Sequence, residues 1–200
     1  MSTNNTITLD TYQTYFANYV DGTAPVTTGF QKEWIDFLLS HIEYTTPILE
    51  IGSATGRDAT YISQQGYANI LTTDAFEAAV NMLKSKGLAA ERFNILIDSM
   101  TGMYGLIIAS AVFLHFTDEE FRFALGVVKA HLSKDGILGF SVKQGEGAEW
   151  SEHKMGAPRF FNFWSEPELR ETLEYCGYAI IDLRSTDDNN WIHVTCKMSK

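Results

Sequence analysis

Apolar residues along this chain follow two alternating patterns: short, mostly apolar runs, and longer stripes at helical spacing. The runs at 48–52, 69–74, 93–98, 106–112 and 136–143 predict five strands, and their near-continuous apolarity suits a parallel sheet covered on both faces. Stripes predict helices over 9–20 (Tyr12, Tyr15, Phe16, Tyr19), 28–42 (Phe30, Trp34, Phe37, Leu38, His41), 57–65 and 76–86, the last closed by Gly87. Two further helix starts carry a capping box and a hydrophobic staple. These are Thr117-Asp118-Glu119-Glu120 between Phe116 and Phe121, and Ser165-Glu166-Pro167-Glu168 between Trp164 and Leu169. After them, 178–184 and 191–197 read as strands whose connection, from Ser185 to Asn190, is too short for a parallel crossover and so predicts an antiparallel hairpin. Together these elements predict an α/β fold in three layers: a doubly wound sheet of seven strands, mostly parallel, ending in a C-terminal antiparallel hairpin.

Composition bounds this picture. A chain of 200 residues suits one domain with a substantial core. Asp21-Gly22-Thr23-Ala24-Pro25 breaks the first helical pattern, so residues 1–27 are expected as an N-terminal lid or appendage to a single domain at 28–200. The net charge of -10 argues against a general nucleic-acid binder. It leaves open an enzyme acting on one exposed base, favours a small or cationic substrate or a protein partner, and serves solubility equally well. Cys176 and Cys196 form no paired motif and suit small core positions in a reducing cytoplasm. No apolar run is long enough for a membrane span, and residues 2–8 lack a signal peptide's charge and apolar core.

The chemistry concentrates in Glu50-Ile51-Gly52-Ser53-Ala54-Thr55-Gly56, which follows the first strand and opens a helix. Asp74 ends the second strand. Strand, glycine turn, helix, strand and acid form the layout of a half-Rossmann nucleoside site, in which glycines admit a ligand close to the backbone and the carboxylate can accept both ribose hydroxyls.

From Phe30 to Lys197 the chain resembles the class I, Rossmann-like S-adenosylmethionine-dependent methyltransferases. The resemblance is carried by 48–57, by Asp74, by Asp98 in Ile97-Asp98-Ser99-Met100, by the strand and turn from Ile107 to His115, by the Leu132-to-Leu138 entry to strand five, and by the terminal hairpin. One departure is Ala54, where the family has glycine; its Cβ is tolerable at negative φ. The resemblance implies S-adenosyl-L-methionine as cofactor, with Gly52, Ser53, Ala54 and Gly56 beside its methionine and ribose, and Asp74 with Ala75 on the ribose. Asp98, Ser99 and Met100 are expected around the adenine, and Ser110 and Ala111 beside the cofactor at the end of strand four. Glu50 orders the loop or approaches the ligand, and Phe76 packs on the adenine or in the core.

His115 is a candidate general base, or a residue that shapes its turn. Lys143 and Arg159 are candidates to hold a substrate carboxylate or phosphate, with Trp150 and Phe160 as an apolar wall, although all four suit ordinary surface or core roles. Tyr15 and Tyr19, with Tyr12, are expected in a lid or packed on the sheet's flank. No ligand spacing suggests a metal site. The segment 110–113 lacks the signature of amino-methylating nucleic-acid enzymes, which makes DNA or RNA an improbable substrate. The resemblance thus implies methyl transfer to an O, N or S nucleophile of a small molecule or, less directly, a protein. Rival readings are a catalytically silent cofactor-binding or interaction protein and, more distantly, an NAD-dependent oxidoreductase, which would want a third glycine in the loop. Acceptor and oligomeric state are not encoded in any pattern the sequence displays.

Overall fold

A computed structural model describes residues 1–188 and 190–199; Asn189, in the turn expected before the last strand, and Lys200 lie outside the described residues. Its strands are β1 (Ile48–Ile51), β2 (Ile70–Asp74), β3 (Ala90–Arg92), β4 (Tyr104–Ala109), β5 (Leu132–Gln144), β6 (Ala148–Ser151), β7 (Arg159–Trp164), β8 (Tyr178–Ser185) and β9 (Trp191–Met198). The main sheet runs β3-β2-β1-β4-β5-β9-β8, with β1 to β5 parallel. β9 enters antiparallel to β5, from Ile137 opposite Lys197 to Lys143 opposite Trp191, and β8 pairs antiparallel with β9. This is the mostly parallel, hairpin-terminated sheet that the sequence pattern implies.

An additional hairpin hangs from the end of β5. β6 pairs antiparallel with β7, and β7 joins the sheet through Phe163 and Trp164 opposite Lys143 and Gln144. The sequence suggests only a glycine-rich loop here. Gly145 (φ 150°) and Gly147 (φ 73°) make the turn out of β5, and the aromatic run Phe160-Phe161-Asn162-Phe163-Trp164 then favours extended chain.

Strand three is also displaced. β3 ends at Arg92, and 93–98 form a turn in which the Asp98 carboxylate accepts from the Asn94 N–H at 2.8 Å and Asn94 Oδ1 accepts from the Leu96 N–H at 3.0 Å. Local Asn and Asp hydrogen bonding here overrides the strand propensity of Ile95-Leu96-Ile97.

Helices α1 (Thr3–Thr14), α2 (Phe16–Asp21), α3 (Gly29–Leu39), α4 (Arg57–Gln64), α5 (Glu77–Ser85), α6 (Asp118–His131) and α7 (Glu166–Tyr175) cover the sheet. Both expected capping boxes form, at Thr117 with Glu120 and at Ser165 with Glu168. The first helix expected from sequence is broken at Tyr15, whose φ of −111° and ψ of 27° separate α1 from α2. Among the described residues no helix is long and apolar enough to cross a membrane.

The core is split by the sheet. On one face Trp34, Ile35 and Leu38 of α3 and Ile62 of α4 pack on Leu106 and Ile108. On the other, Phe121 of α6 is fully buried, its ring 5.5 Å from Phe113, 5.6 Å from Phe140 and 4.8 Å from Trp164. Phe121 thereby ties α6 to β5, β7 and the turn after β4, which form one side of the crevice above the sheet. Phe121→Ala is expected to cost about 3–5 kcal/mol in urea denaturation. A loss below about 1 kcal/mol would show that this cluster does not hold the layer together.

Candidate active site

The crevice opens at the carboxyl ends of β1, β2 and β4, and its floor is the loop leaving β1. The Ser53 N–H donates to the Thr73 carbonyl and the Ala54 N–H to Asp74 Oδ2, both at 2.8 Å, so the loop is stitched to β2. Gly52 lies at φ 69°, and a Cβ there would run into the Val112 side chain. Ala54 sits at φ 48°, not in the negative region its Cβ prefers, and the Asp74 bond holds it there. Gly56, at φ 72°, lies away from the crevice; a Cβ would come within 2.7 Å of Leu83 and 2.8 Å of Leu88, so its role is to let α4 approach α5. Ala111 is a second left-handed alanine (φ 55°), its N–H donating to Ser141 Oγ at 3.0 Å.

Two adjoining cavities occupy the crevice. The smaller, of about 100 Å³, is lined by Gly52, Ala54, Asp74, Ala75, Ser110, Ala111, Tyr19 and His115, all candidates from sequence, together with Tyr12, Asn94, Ile95 and Val112. The larger, of about 460 Å³, shares Tyr12, Tyr19, Ser110, Ala111 and His115, and adds Lys143, Arg159, Gln31, Phe161, Trp191 and His193.

Several sequence candidates fall outside both. Asp98, Ser99 and Met100 line a separate hollow of about 110 Å³, because the early end of β3 swings Asp98 into its own turn and toward Arg92, 3.7 Å away. Asn94 and Ile95 stand at the crevice instead. Tyr15 is exposed, since the helix break there changes the phase of the stripe and turns Tyr12 and Tyr19 inward. Trp150 is exposed on β6 against the Phe160 ring, while Phe160 is buried and contributes its carbonyl. Phe76 is buried with its face taken by Tyr12, stacked at 6.0 Å. Ser53 is buried within the loop, and Glu50 beneath it keeps Oε2 without a partner. Burial, then the nearby Asp58 carboxylate, raises the Glu50 pKa well above the carboxylate range. Burial likewise raises Asp74 to about 6, against the lowering effect of the Ala54, Ala75 and Phe76 amides. Gln31, His193 and Asn94 carry no sequence signal: each comes from an element whose pattern announces only packing.

An aromatic network closes the crevice. His115 Nδ1 lies 2.6 Å from the Phe160 carbonyl, which can only accept, so the proton is on Nδ1 and Nε2 accepts from the Tyr12 hydroxyl at 3.0 Å. Arg159 Nη1 donates to the same hydroxyl at 3.2 Å. Thr8 and Thr11 of α1 bond the Phe160 N–H at 3.0 Å and the Pro158 carbonyl at 2.7 Å, fixing α1 on β7. His115 therefore orients Tyr12, and its lone pair is occupied.

Burial lowers the His115 pKa to about 4, the Phe160 carbonyl partly opposing this. With the folded value below the unfolded 6.5, its contribution to stability is complete above pH 6.5 and declines as pH falls toward 4. NMR titration of the His115 ring is expected to show no protonation down to about pH 5; a midpoint near 6.5 would contradict the buried arrangement.

Residues 27–183 match the family model of a methyltransferase domain. Among solved structures, the DhpI-SAM-HEP complex aligns with a TM-score of 0.78 at 16% identity, covering 98% of this chain and 99% of that one. Burkholderia thailandensis 1,6-didemethyltoxoflavin-N1-methyltransferase, with bound 1,6-didemethyltoxoflavin and S-adenosylhomocysteine, aligns at 0.73 and 16% identity, covering 98% and 87%. The CcbJ methyltransferase from Streptomyces caelestis aligns at 0.74 and 13%, covering 95% and 98%. These likenesses show a shared fold. A search of curated protein sequences finds no match. With its strand order, its tethered loop and a family match over most of its length, the chain belongs to the class I S-adenosylmethionine-dependent methyltransferases.

Proposed function

We propose that this protein transfers the methyl group of S-adenosylmethionine to an O, N or S nucleophile of a small molecule. The observation that carries this reading is the junction of the two cavities: the loop-and-Asp74 pocket adjoins a larger one, with Ser110, Ala111 and His115 lining both. A volume of about 460 Å³ lies within the usual range of small-molecule sites. The Burkholderia enzyme, whose name and bound ligand give 1,6-didemethyltoxoflavin as its methyl acceptor, supports this class of acceptor.

The residues present fit the cofactor. Asp74 offers carboxylate oxygens at the crevice edge, and Gly52 keeps the wall free of a side chain. When bound, S-adenosylmethionine supplies a methyl group on a sulfonium that leaves with its bonding pair. What remains for the protein is alignment and exclusion of water, which can contribute about 7–11 kcal/mol to barrier lowering. Tyr12, Tyr19 and Phe76 form the apolar cover for that purpose. The smaller cavity does not accommodate a nucleoside while Tyr12 and Tyr19 divide the crevice, so residues 1–27 act as a lid that shifts on binding. With the lid in this position His115 Nε2 is engaged by the Tyr12 hydroxyl, so His115 becomes available to the acceptor's proton only when Tyr12 moves away.

Asp74→Asn keeps an oxygen for the Ala54 N–H and removes the charge that meets the ribose. Hydrogen bonds to charged groups contribute about 1.5–3 kcal/mol, so affinity for S-adenosylhomocysteine in calorimetry is expected to fall at least about tenfold with the circular dichroism unchanged. Undiminished affinity would overturn the role of Asp74, and no binding by the wild-type chain at millimolar ligand would reject the function.

A further inference from the structure

Arg159 is a buried cation without a counter-ion. It is 5% exposed; Nη1 donates to the Tyr12 hydroxyl, Nη2 to the His153 carbonyl, and Nε has no partner. Among the described residues no carboxylate oxygen lies within 4.0 Å of it. Its guanidinium lies 5.6 Å from the Tyr12 ring centre and 5.0 Å from that of Phe161. Aromatic faces and neutral oxygens offset only part of the cost of burying a charge.

The same cavity gathers more positive charge. Half-buried Lys143 has its Nζ 4.3 Å over Trp191, and Lys154 at the rim has its Nζ 4.2 Å over Tyr19 and 2.8 Å from Thr23 Oγ1. Neither makes an ion pair among the described residues. Burial, then repulsion from Arg159 and Arg57, lowers the Lys154 pKa; burial lowers that of Lys143, opposed by Asp188. Arg57 is already neutralised by Asp58 at 2.8 Å. The cavity lining includes no Asp or Glu, although the chain carries 25 acidic residues against 15 Lys and Arg. In an acidic protein, a carboxylate-free pocket built around a buried guanidinium is the electrostatic complement of an anion.

We propose that the methyl acceptor carries a carboxylate or phosphate-type oxyanion, seated on Arg159 with Lys143 and Lys154 beside it. This rests on the methyltransferase reading and names the substrate class of the same site. A planar guanidinium can take two oxygens, and Nε is the nitrogen left without a partner among the described residues, while the lysines would act as point charges. An oxyanion held there places the rest of a small acceptor toward Ser110 and Ala111, where the two cavities join.

The test is calorimetry on the protein saturated with S-adenosylhomocysteine, which fills the cofactor end and supplies its own carboxylate. Benzoate, phenyl phosphate and neutral benzamide are then titrated. At least one oxyanion is expected to bind at least about tenfold more tightly than benzamide, and which one binds separates carboxylate from phosphate acceptors. Arg159→Gln is expected to weaken that binding at least about tenfold, and by several-fold more than it changes S-adenosylhomocysteine affinity, which the loss of its bond to the Tyr12 hydroxyl also touches. Should that variant fail to fold, Lys143→Gln is expected to weaken it about threefold or more, and exposed Lys134→Gln to leave it unchanged. Cofactor-product binding with no preference for either oxyanion would overturn the proposal, as would Arg159→Gln acting on cofactor affinity instead. Failure of S-adenosylhomocysteine to bind would overturn the reading beneath, and the proposal with it.

Discussion

The site depends on one hydrogen bond that reaches between two strands, from the Ala54 N–H to the Asp74 carboxylate. An alanine in the left-handed region costs about 1–2 kcal/mol, and a bond to a charged acceptor contributes about 1.5–3 kcal/mol, enough to hold it there. This tether folds the loop over the end of β1, bringing Gly52, Ala54, Asp74 and Ala75 into one wall. The opposite wall repeats the device, with Ala111 left-handed and its N–H on Ser141. Two strained alanines facing one crevice is the kind of local conflict that persists where a ligand must come close.

Charge is partitioned with the same economy. Acidic groups lie under the loop, where Glu50, Asp58 and Asp74 are buried and the first and last have raised pKa values. Cations lie in the adjoining cavity, where Arg159 is bridged through the Tyr12 hydroxyl to His115. Tyr12 therefore joins the walls of the two cavities. On the function proposed above, a shift of α1 would alter both and so couple cofactor entry to the shape of the acceptor site.

Much of this was legible in the sequence, and the failures have physical causes. The glycine loop, Asp74 and the terminal hairpin depend on local rules of turn geometry and connection length, and they appear where those rules place them. Asp98 misleads because Ile95-Leu96-Ile97 looks like strand, whereas side-chain bonding between Asn94 and Asp98 makes a turn that only three-dimensional pairing reveals. The stripe of tyrosines was visible, but not the break at Tyr15 that turns Tyr12 and Tyr19 inward and Tyr15 outward. The hairpin of β6 and β7 was hidden by its glycines, which serve the turn and not a loop. Gln31 and His193 come from α3 and β9, far apart in the chain, and meet at 3.1 Å only because β9 lies beside β5. No periodicity announces such a meeting.

A crystal structure with S-adenosylhomocysteine is the decisive measurement. The ribose hydroxyls are expected within about 3.2 Å of the Asp74 carboxylate, with Ala54 still left-handed and the N-terminal tyrosines displaced to admit the nucleoside. An adenosine lying elsewhere, or one that binds with Tyr12 and Tyr19 unmoved and no contact to Asp74, would contradict this expectation.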